Sequence, residues 1–292
     1  MNFVSAWTRQ VESGQQPSSE DLQDHLAAVH QINAGFTESC AWNCRDAAGK
    51  NSYQLLADII DQESHSSVLD LGCGSGVLLD LCHQRFGAEL ALSGVDISNA
   101  ELQLARERLA HTEIRLHQGM AQNLSFLADT SIDVILCHWA LTLMDPVAPV
   151  FTMVRRVLKK KGVFAAIIDG AVETAPGYRE VHDIIYTCAR REYPDYGKIE
   201  LGDPRVRTAD ALHELAAKTF FGSDIEITPV VLSLDGAPDV LAREAAGFFY
   251  ASFVLSVDGH RQMLVDLERH FSANLKDGAS SFALPVNRLV VR

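Results

Sequence analysis

Val68-Leu69-Asp70-Leu71-Gly72-Cys73-Gly74-Ser75-Gly76-Val77-Leu78-Leu79 is the stretch that decides how this chain folds. A short apolar strand carries one acidic residue, enters a Gly-x-Gly-x-Gly turn and opens a helix. Glycines there let a ligand approach the backbone where a Cβ would collide. Twenty residues after Gly76, Asp96 closes the next apolar run in Gly94-Val95-Asp96-Ile97-Ser98. A carboxylate at that point accepts hydrogen bonds from two ribose hydroxyls. Turn and carboxylate together predict a ligand that contains a nucleoside.

Outward from this corner, short apolar runs alternate with amphipathic stretches, as βαβ units do. Strands are expected over 68–71, 90–95, 114–117, 132–137 and 163–168. Ser98 and Glu101 form a capping box, with Leu102, Ala105 and Leu109 on one helical face. Val147, Val150, Val154 and Val157 repeat the pattern before the fifth strand. The fold class is α/β, an open, doubly wound sheet. Strand-like runs at 225–234 and 282–291 could complete it, while 178–191, 208–218 and 239–270 read as helical. Near the start, Ser18 to Asp21 cap a helix carrying Leu22, Leu26 and Val29, 36–50 reads as a loop, and Leu55, Leu56, Ile59 and Ile60 share a helical face. The expected organisation is a helical cap over 1–62 and a ligand-binding domain over 63–292, with helical insertions at about 171–222 and 238–278.

Composition narrows the function. The 292 residues are 47% hydrophobic and 22% charged, the balance of a folded globular protein. Lys and Arg total 25 against 38 Asp and Glu, a net charge of −13, which repels nucleic acid and anionic membrane. Cysteines at 40, 44, 73, 82, 137 and 188 are scattered, and the N-terminal residues show no secretory pattern, so reduced thiols in a cytoplasmic protein are expected. The longest uncharged stretch, 245–257, is too short to span a bilayer and reads as a buried helix or a ligand-facing lid. Lys159, Lys160 and Lys161 read as a solvated turn. Cys40 and Cys44 have the first spacing of a radical cluster site, but Ala47 stands where a third thiolate belongs, and no metal site is expected.

A dinucleotide and S-adenosylmethionine compete for the corner, and charge separates them. A pyrophosphate on the turn would face Asp70, whereas S-adenosylmethionine brings an ammonium and a sulfonium that an acidic residue favours. The dinucleotide spacing Gly-x-Gly-x-x-Gly is also absent, since Val77 follows Gly76. On these residues, over roughly 50–170, the chain resembles the class I S-adenosylmethionine-dependent methyltransferases, chiefly their small-molecule branch.

That resemblance implies a mostly parallel, seven-stranded, Rossmann-like sheet and S-adenosylmethionine as cofactor. It implies Asp70, Gly72 and Gly74 around the methionyl part, Cys73 and Gly76 also in the cofactor site, Asp96 on the ribose and Ile97 against the adenine. Gly119 to Phe126 is similar to the adenine-edge loop, with the Ala121 amide and the Gln122 side chain as partners and Met120 where relatives carry Asp. Ser131 to Trp139 is similar to the fourth strand, whose end, Cys137 and His138, lies beside the transferred methyl. His138 is read as a candidate general base, or as a position whose carbonyl holds the ammonium. Trp42, Arg45, Tyr53, Trp139, Asp169 and Tyr178 are the candidate substrate residues, from the segment before the first strand and the ends of the fourth and fifth. The implied reaction is in-line displacement of the sulfonium methyl by a small-molecule acceptor, with homodimerisation left open. A cyclase releasing methylthioadenosine, a binding partner without turnover and a nicotinamide-dependent oxidoreductase remain as alternatives.

Overall fold

The computed structural model describes residues 4–276 and 278–292. In chain order the helices are α1 (Ala6–Glu12), α2 (Ser19–Asn33), α3 (Glu38–Asn43), α4 (Ser52–Ala57), α5 (Val77–Phe86), α6 (Asn99–Arg108), α7 (Ala148–Val157), α8 (Tyr178–Glu192), α9 (Ala209–Thr219), α10 (Pro238–Phe248) and α11 (Val257–Ala273). The strands are β1 (Ser67–Leu71), β2 (Ala91–Asp96), β3 (Arg115–Gln118), β4 (Ile132–His138), β5 (Leu158–Asp169), β6 (Ile225–Gly236) and β7 (Ser280–Val291).

Among the described residues, seven strands form one sheet in the order β3-β2-β1-β4-β5-β7-β6. β1 runs parallel to both β2 and β4, with Asp70 level with Gly94 on one side and Leu136 on the other. β2 is parallel to β3, β4 is parallel to β5, and β7 lies antiparallel to β5, pairing Asp169 with Val286. The order reverses direction between β1 and β4, so their carboxyl ends flank the crevice where open α/β sheets bind ligands. β4 is buried along almost its whole length, which is why its sequence is a continuous apolar run. Val150, Phe151, Val154 and Val157 of α7 pack into the same core as Ile135, Phe164 and Leu289.

Contacts divide the chain into two compact units. One comprises Met1–Gly49, Val172–Glu200 and Val231–Pro285, and is largely helical; the other comprises Lys50–Ala171, Leu201–Val230 and Val286–Arg292. Residues 50–62 and 201–222, expected in the cap and in an insertion, belong to the unit that holds β1 to β5. Burial is the reason. α4 packs on α5, β4 and β5, and α9 packs on α7, with Leu212, Leu215 and Ala216 in the core.

Local departures from the sequence reading have identifiable causes. The 36–50 stretch is not all loop: α3 forms there without a side-chain cap, held by burial of Cys40 and Ala41. Residues 6–12, for which no element is expected from the sequence, form α1 with Ser5 as N-cap and Trp7 and Val11 buried. The uncharged stretch 245–257 is not one helix, since α10 stops at Phe248 and a single 3₁₀ turn, Tyr250–Ser252, follows. The three lysines lie within β5 and not in a turn. Ile132 pairs with Leu158 but Val134 with Val163, so the lysines bulge out of register and Lys159 reaches Asp133 at 2.8 Å. No helix among the described residues is long and apolar enough to cross a membrane.

Candidate functional site

The glycine turn follows β1 and is pinned to the neighbouring strand. The Gly72 and Cys73 amides both donate to the Val95 carbonyl, at 2.8 and 3.0 Å. Gly72 has φ of +74°, and a Cβ there would sit 2.3 Å from the Cβ of Ala140, so this glycine lets the turn after β4 pack against the turn after β1. Gly74, with φ of +50°, is different. The nearest atom to its absent Cβ is Glu101 Oε2 at 3.7 Å, so a side chain there would touch the first turn of α6 without clashing. Gly76 caps the start of α5.

Asp70 is 1% exposed, and its Oδ1 has no hydrogen-bond partner among the described residues. Burial, reinforced by the Asp96 charge, pushes its carboxyl up to about 8. Asp96 ends β2 with both oxygens engaged: Oδ2 accepts from the Gly74 amide and Oδ1 from the Ser98 amide, each at 2.8 Å. The carboxylate therefore holds the turn at the edge where the sequence expects a sugar. These bonds also correct the expected capping box. Ser98 Oγ accepts from the Glu101 amide at 3.3 Å, but the Ser98 N–H that Glu101 would take back goes to Asp96. Glu101 is instead turned toward Gly74, and it is 3% exposed. Cys73 is buried beside Asp70, Asp96 and Glu101. Desolvation first, then these three charges, hold its thiol well above the ordinary range, so it is a filler and not a nucleophile.

Ile97 follows Asp96 and is 37% exposed, presenting an apolar face beside the crevice. Across β3, the Ala121 residue is buried, Gln122 is half-buried, and the Gln118 amide reaches the Ile97 carbonyl. His117 stacks on Phe126 at 4.2 Å, closing this flank with aromatic surface.

At the end of β4, Cys137 is fully buried and its thiol is pushed up by desolvation. His138 Nε2 lies 2.8 Å from Ser52 Oγ, and its ring stacks on Tyr53 with centroids 3.9 Å apart. Trp139 meets the same ring edge-on at 4.8 Å. Burial drives the His138 ring down to about 3, which removes the poise near neutrality that recommended it as a base. Trp139 has φ of +56°, a left-handed conformation that large side chains rarely adopt, and its amide donates to the Ile167 carbonyl at 2.8 Å. Asp169, at the end of β5, accepts from Arg207 Nη1 at 3.0 Å, and its amide donates to Thr142 Oγ1.

The sheet-bearing unit thus gathers Asp70, Gly72, Cys73, Gly74, Gly76, Asp96, Ile97, Ala121, Gln122, Cys137, His138, Tyr53, Trp139 and Asp169. Trp42, Arg45 and Tyr178 belong to the other unit. There Trp42 is 42% exposed on α3, Arg45 exchanges backbone hydrogen bonds with Ser233, and Tyr178 is buried in a stack with Phe249. Sequence reasoning missed Glu101, Ser52 and Arg207 as members of the site region. Glu101 had looked like a cap, and nothing in the local pattern marked the other two.

Comparisons place this geometry among known proteins. Residues 68–162 match a family described as a methyltransferase domain. A demethylmenaquinone methyltransferase of Desulfitobacterium hafniense (strain Y51) is 29% identical over 164 residues, 54% of this chain and 62% of that protein. One of Symbiobacterium thermophilum is 31% identical over 104 residues, 34% of this chain and 41% of its own. The chain spans less than two thirds of these curated relatives. A solved putative methyltransferase from an antibiotic biosynthesis pathway of Anabaena variabilis superposes with a TM-score of 0.59 at 14% identity, covering 86% of this chain and 98% of that one. A Haemonchus contortus phospholethanolamine N-methyltransferase, solved with S-adenosylhomocysteine, gives 0.55 at 17% identity, covering 92% and 59%. At these identities the likeness is one of fold.

Proposed function

We propose, from the match of residues 68–162 to the methyltransferase domain family, that this protein transfers the sulfonium methyl of S-adenosylmethionine to a small-molecule acceptor. The observation that carries the reading is Asp70, a carboxyl group buried at the glycine turn with one oxygen unpartnered, beside the Asp96 charge. A buried acid of this kind is costly unless a ligand supplies a complementary donor or positive charge. The donor set fits this group and not a pyrophosphate.

Asp70 would face the cationic part of the cofactor, Asp96 its ribose, Ile97 the purine face, and Ala121 and Gln122 the purine edge. When bound, S-adenosylmethionine supplies a methyl group activated by positive sulfur. The chain's own residues supply alignment and dryness. Asp96 holds the Gly74 amide, which keeps the turn in place. Tyr53, His138 and Trp139 form an aromatic wall at the end of β4, and Ser52 locks the central ring. We assign acceptor positioning to this wall and to Asp169. A flat aromatic surface suits a planar acceptor of the type that the demethylmenaquinone methyltransferase relatives are named for. Because sulfonium charge is discharged as the methyl leaves, holding two reactants in line outweighs strong acid or base catalysis. A neutral His138 is compatible with that chemistry, its ring serving as a fixed surface.

Incubation of the purified protein with S-adenosylmethionine and a metabolite extract, followed by mass spectrometry, tests the reading. A metabolite heavier by one methyl, appearing with S-adenosylhomocysteine, is the expected result. Methylthioadenosine in place of S-adenosylhomocysteine would show self-cleavage of the cofactor, and no turnover with intact binding would leave a binding protein.

A further inference from the structure

We propose that Cys40 and Cys44 form a redox modification site, a dithiol that a peroxide converts to a reversible disulfide and that reshapes α3 as it closes. The pair lies in a part of the chain that the methyl-transfer reading does not use.

The two sulfurs already touch. Cys40 lies within α3 and Cys44 is its C-cap, and their Sγ atoms are 3.7 Å apart with both residues buried. What shields them from solvent is weakly held. α3 is six residues long with no side-chain cap bond, far below the roughly 12–15 residues at which an isolated helix holds itself together. Ser39 and Trp42 on its outer side are exposed, and Ser39 and Asn43 tie it to Glu244 of α10 at 2.7 and 3.2 Å. A helix held by so few bonds opens locally at less cost than the whole fold. While it is closed, the hydrogen bond with Cys44 and burial hold the Cys40 thiol well above its ordinary range, so the reduced pair is inert until α3 opens.

On opening, one sulfur, as thiolate, attacks an oxygen of hydrogen peroxide; the O–O bond breaks, water leaves and a sulfenic acid forms. The second thiol attacks that sulfur, makes the S–S bond and expels a second water. Two thiols lose two electrons, and the peroxide is reduced to two waters. Cβ atoms four residues apart on a helix stand about 5–6 Å from each other, whereas a disulfide brings them to about 3.8 Å. Cys44 has extended backbone beyond the last helical residue, so closure pulls this end of α3 inward and shifts Trp42, which lies between the two cysteines. A bond that strains its turn is reduced readily, which suits reversible modification and not a permanent cross-link.

Treatment of the folded protein with hydrogen peroxide, then alkylation in denaturant, trypsin and mass spectrometry test this, because residues 10–45 form one tryptic fragment that holds both thiols. That fragment should become two hydrogens lighter at least about tenfold faster than Cys82 or Cys137 oxidises, two controls that are equally buried. Dithiothreitol should reverse the change. Linking should also shift tryptophan emission in wild type but not in Trp42→Phe, and Cys44→Ser should abolish both link and shift; the wild-type fragment decides the matter if the serine variant does not fold. Sulfinic acids or separate adducts in place of the link, or a link that forms no faster than the controls oxidise, would overturn the inference. So would emission that is unchanged on linking, or that still shifts in Trp42→Phe.

Discussion

Asp70 should lose a proton when the methyl donor binds, and that makes it the sharpest probe of the site. Its carboxyl is pushed up to about 8 by burial and by Asp96, so in the ligand-free protein near pH 6 it is protonated. A cation arriving at the turn favours the carboxylate, and each pH unit below that value then costs binding about 1.4 kcal/mol. Donor affinity should rise about tenfold per unit between roughly pH 6 and 7.5, then fall above about 8 as the donor's own α-amino group loses its charge. Calorimetry near pH 6.5 in two buffers of different ionisation enthalpy should register about one proton released per donor bound. Asp70→Asn, which keeps the shape and abolishes the titration, should flatten the rising limb. It should also stabilise the fold. A carboxyl whose folded pKa is raised keeps a proton that the unfolded chain has lost, so between about pH 4 and 8 this residue costs stability as pH rises, by at most about 6 kcal/mol. An affinity that is flat from pH 6 to 7.5 with no proton release, or a slope that survives Asp70→Asn, refutes the reasoning.

Three further outcomes are expected. Burial holds His25 at about 4 and His138 at about 3, so each contributes stability present above the ordinary histidine value and lost as pH falls toward the folded one; at about pH 5 urea unfolding should show a loss of roughly 2 kcal/mol for each, relieved in turn by His25→Asn and His138→Asn, and an unaltered acid slope in both variants counts against it. Asp133 Oδ2 accepts from the amides and hydroxyls of Ser66 and Ser67 and from Lys159, so Asp133→Asn should cost roughly 2–4 kcal/mol at neutral pH, while a loss under about 0.5 kcal/mol would show that the network is dispensable. Gly72 and Gly177 share a φ of +74°, but a Cβ meets Ala140 at 2.3 Å in the first and open space in the second; Gly177→Ala should lose about 1 kcal/mol and Gly72→Ala at least about 2 kcal/mol more, a gap that thermal unfolding would measure and that equal losses would deny.

Much of the β1–β5 layout was legible because it is local. Val134 to Cys137 form an apolar run only a doubly covered strand tolerates, and Val150, Val154 and Val157 mark one face of α7 whatever they pack against. Legibility failed where long-range burial replaces local signals. α3 has no cap bond, and its formation depends on where Cys40 and Ala41 are buried. The lysines before Gly162 look like a turn until Asp133, from the neighbouring strand, receives Lys159. His138 looked titratable because its sequence neighbours say nothing of Ser52 or Tyr53, 86 residues away in the case of the hydrogen bond.

The order of residues alone determined the strand-turn-helix corner, the acid at its mouth and the second acid one strand later, since glycine conformation and alternation of polarity act over a few neighbours. Tertiary structure decided what those groups became: which glycine faces packing and which faces open space, which histidine stays neutral, and whether Glu101 closes a capping box or packs against the glycine turn. Charge and desolvation depend on everything within several ångströms, and folding, not adjacency in the chain, chooses those surroundings.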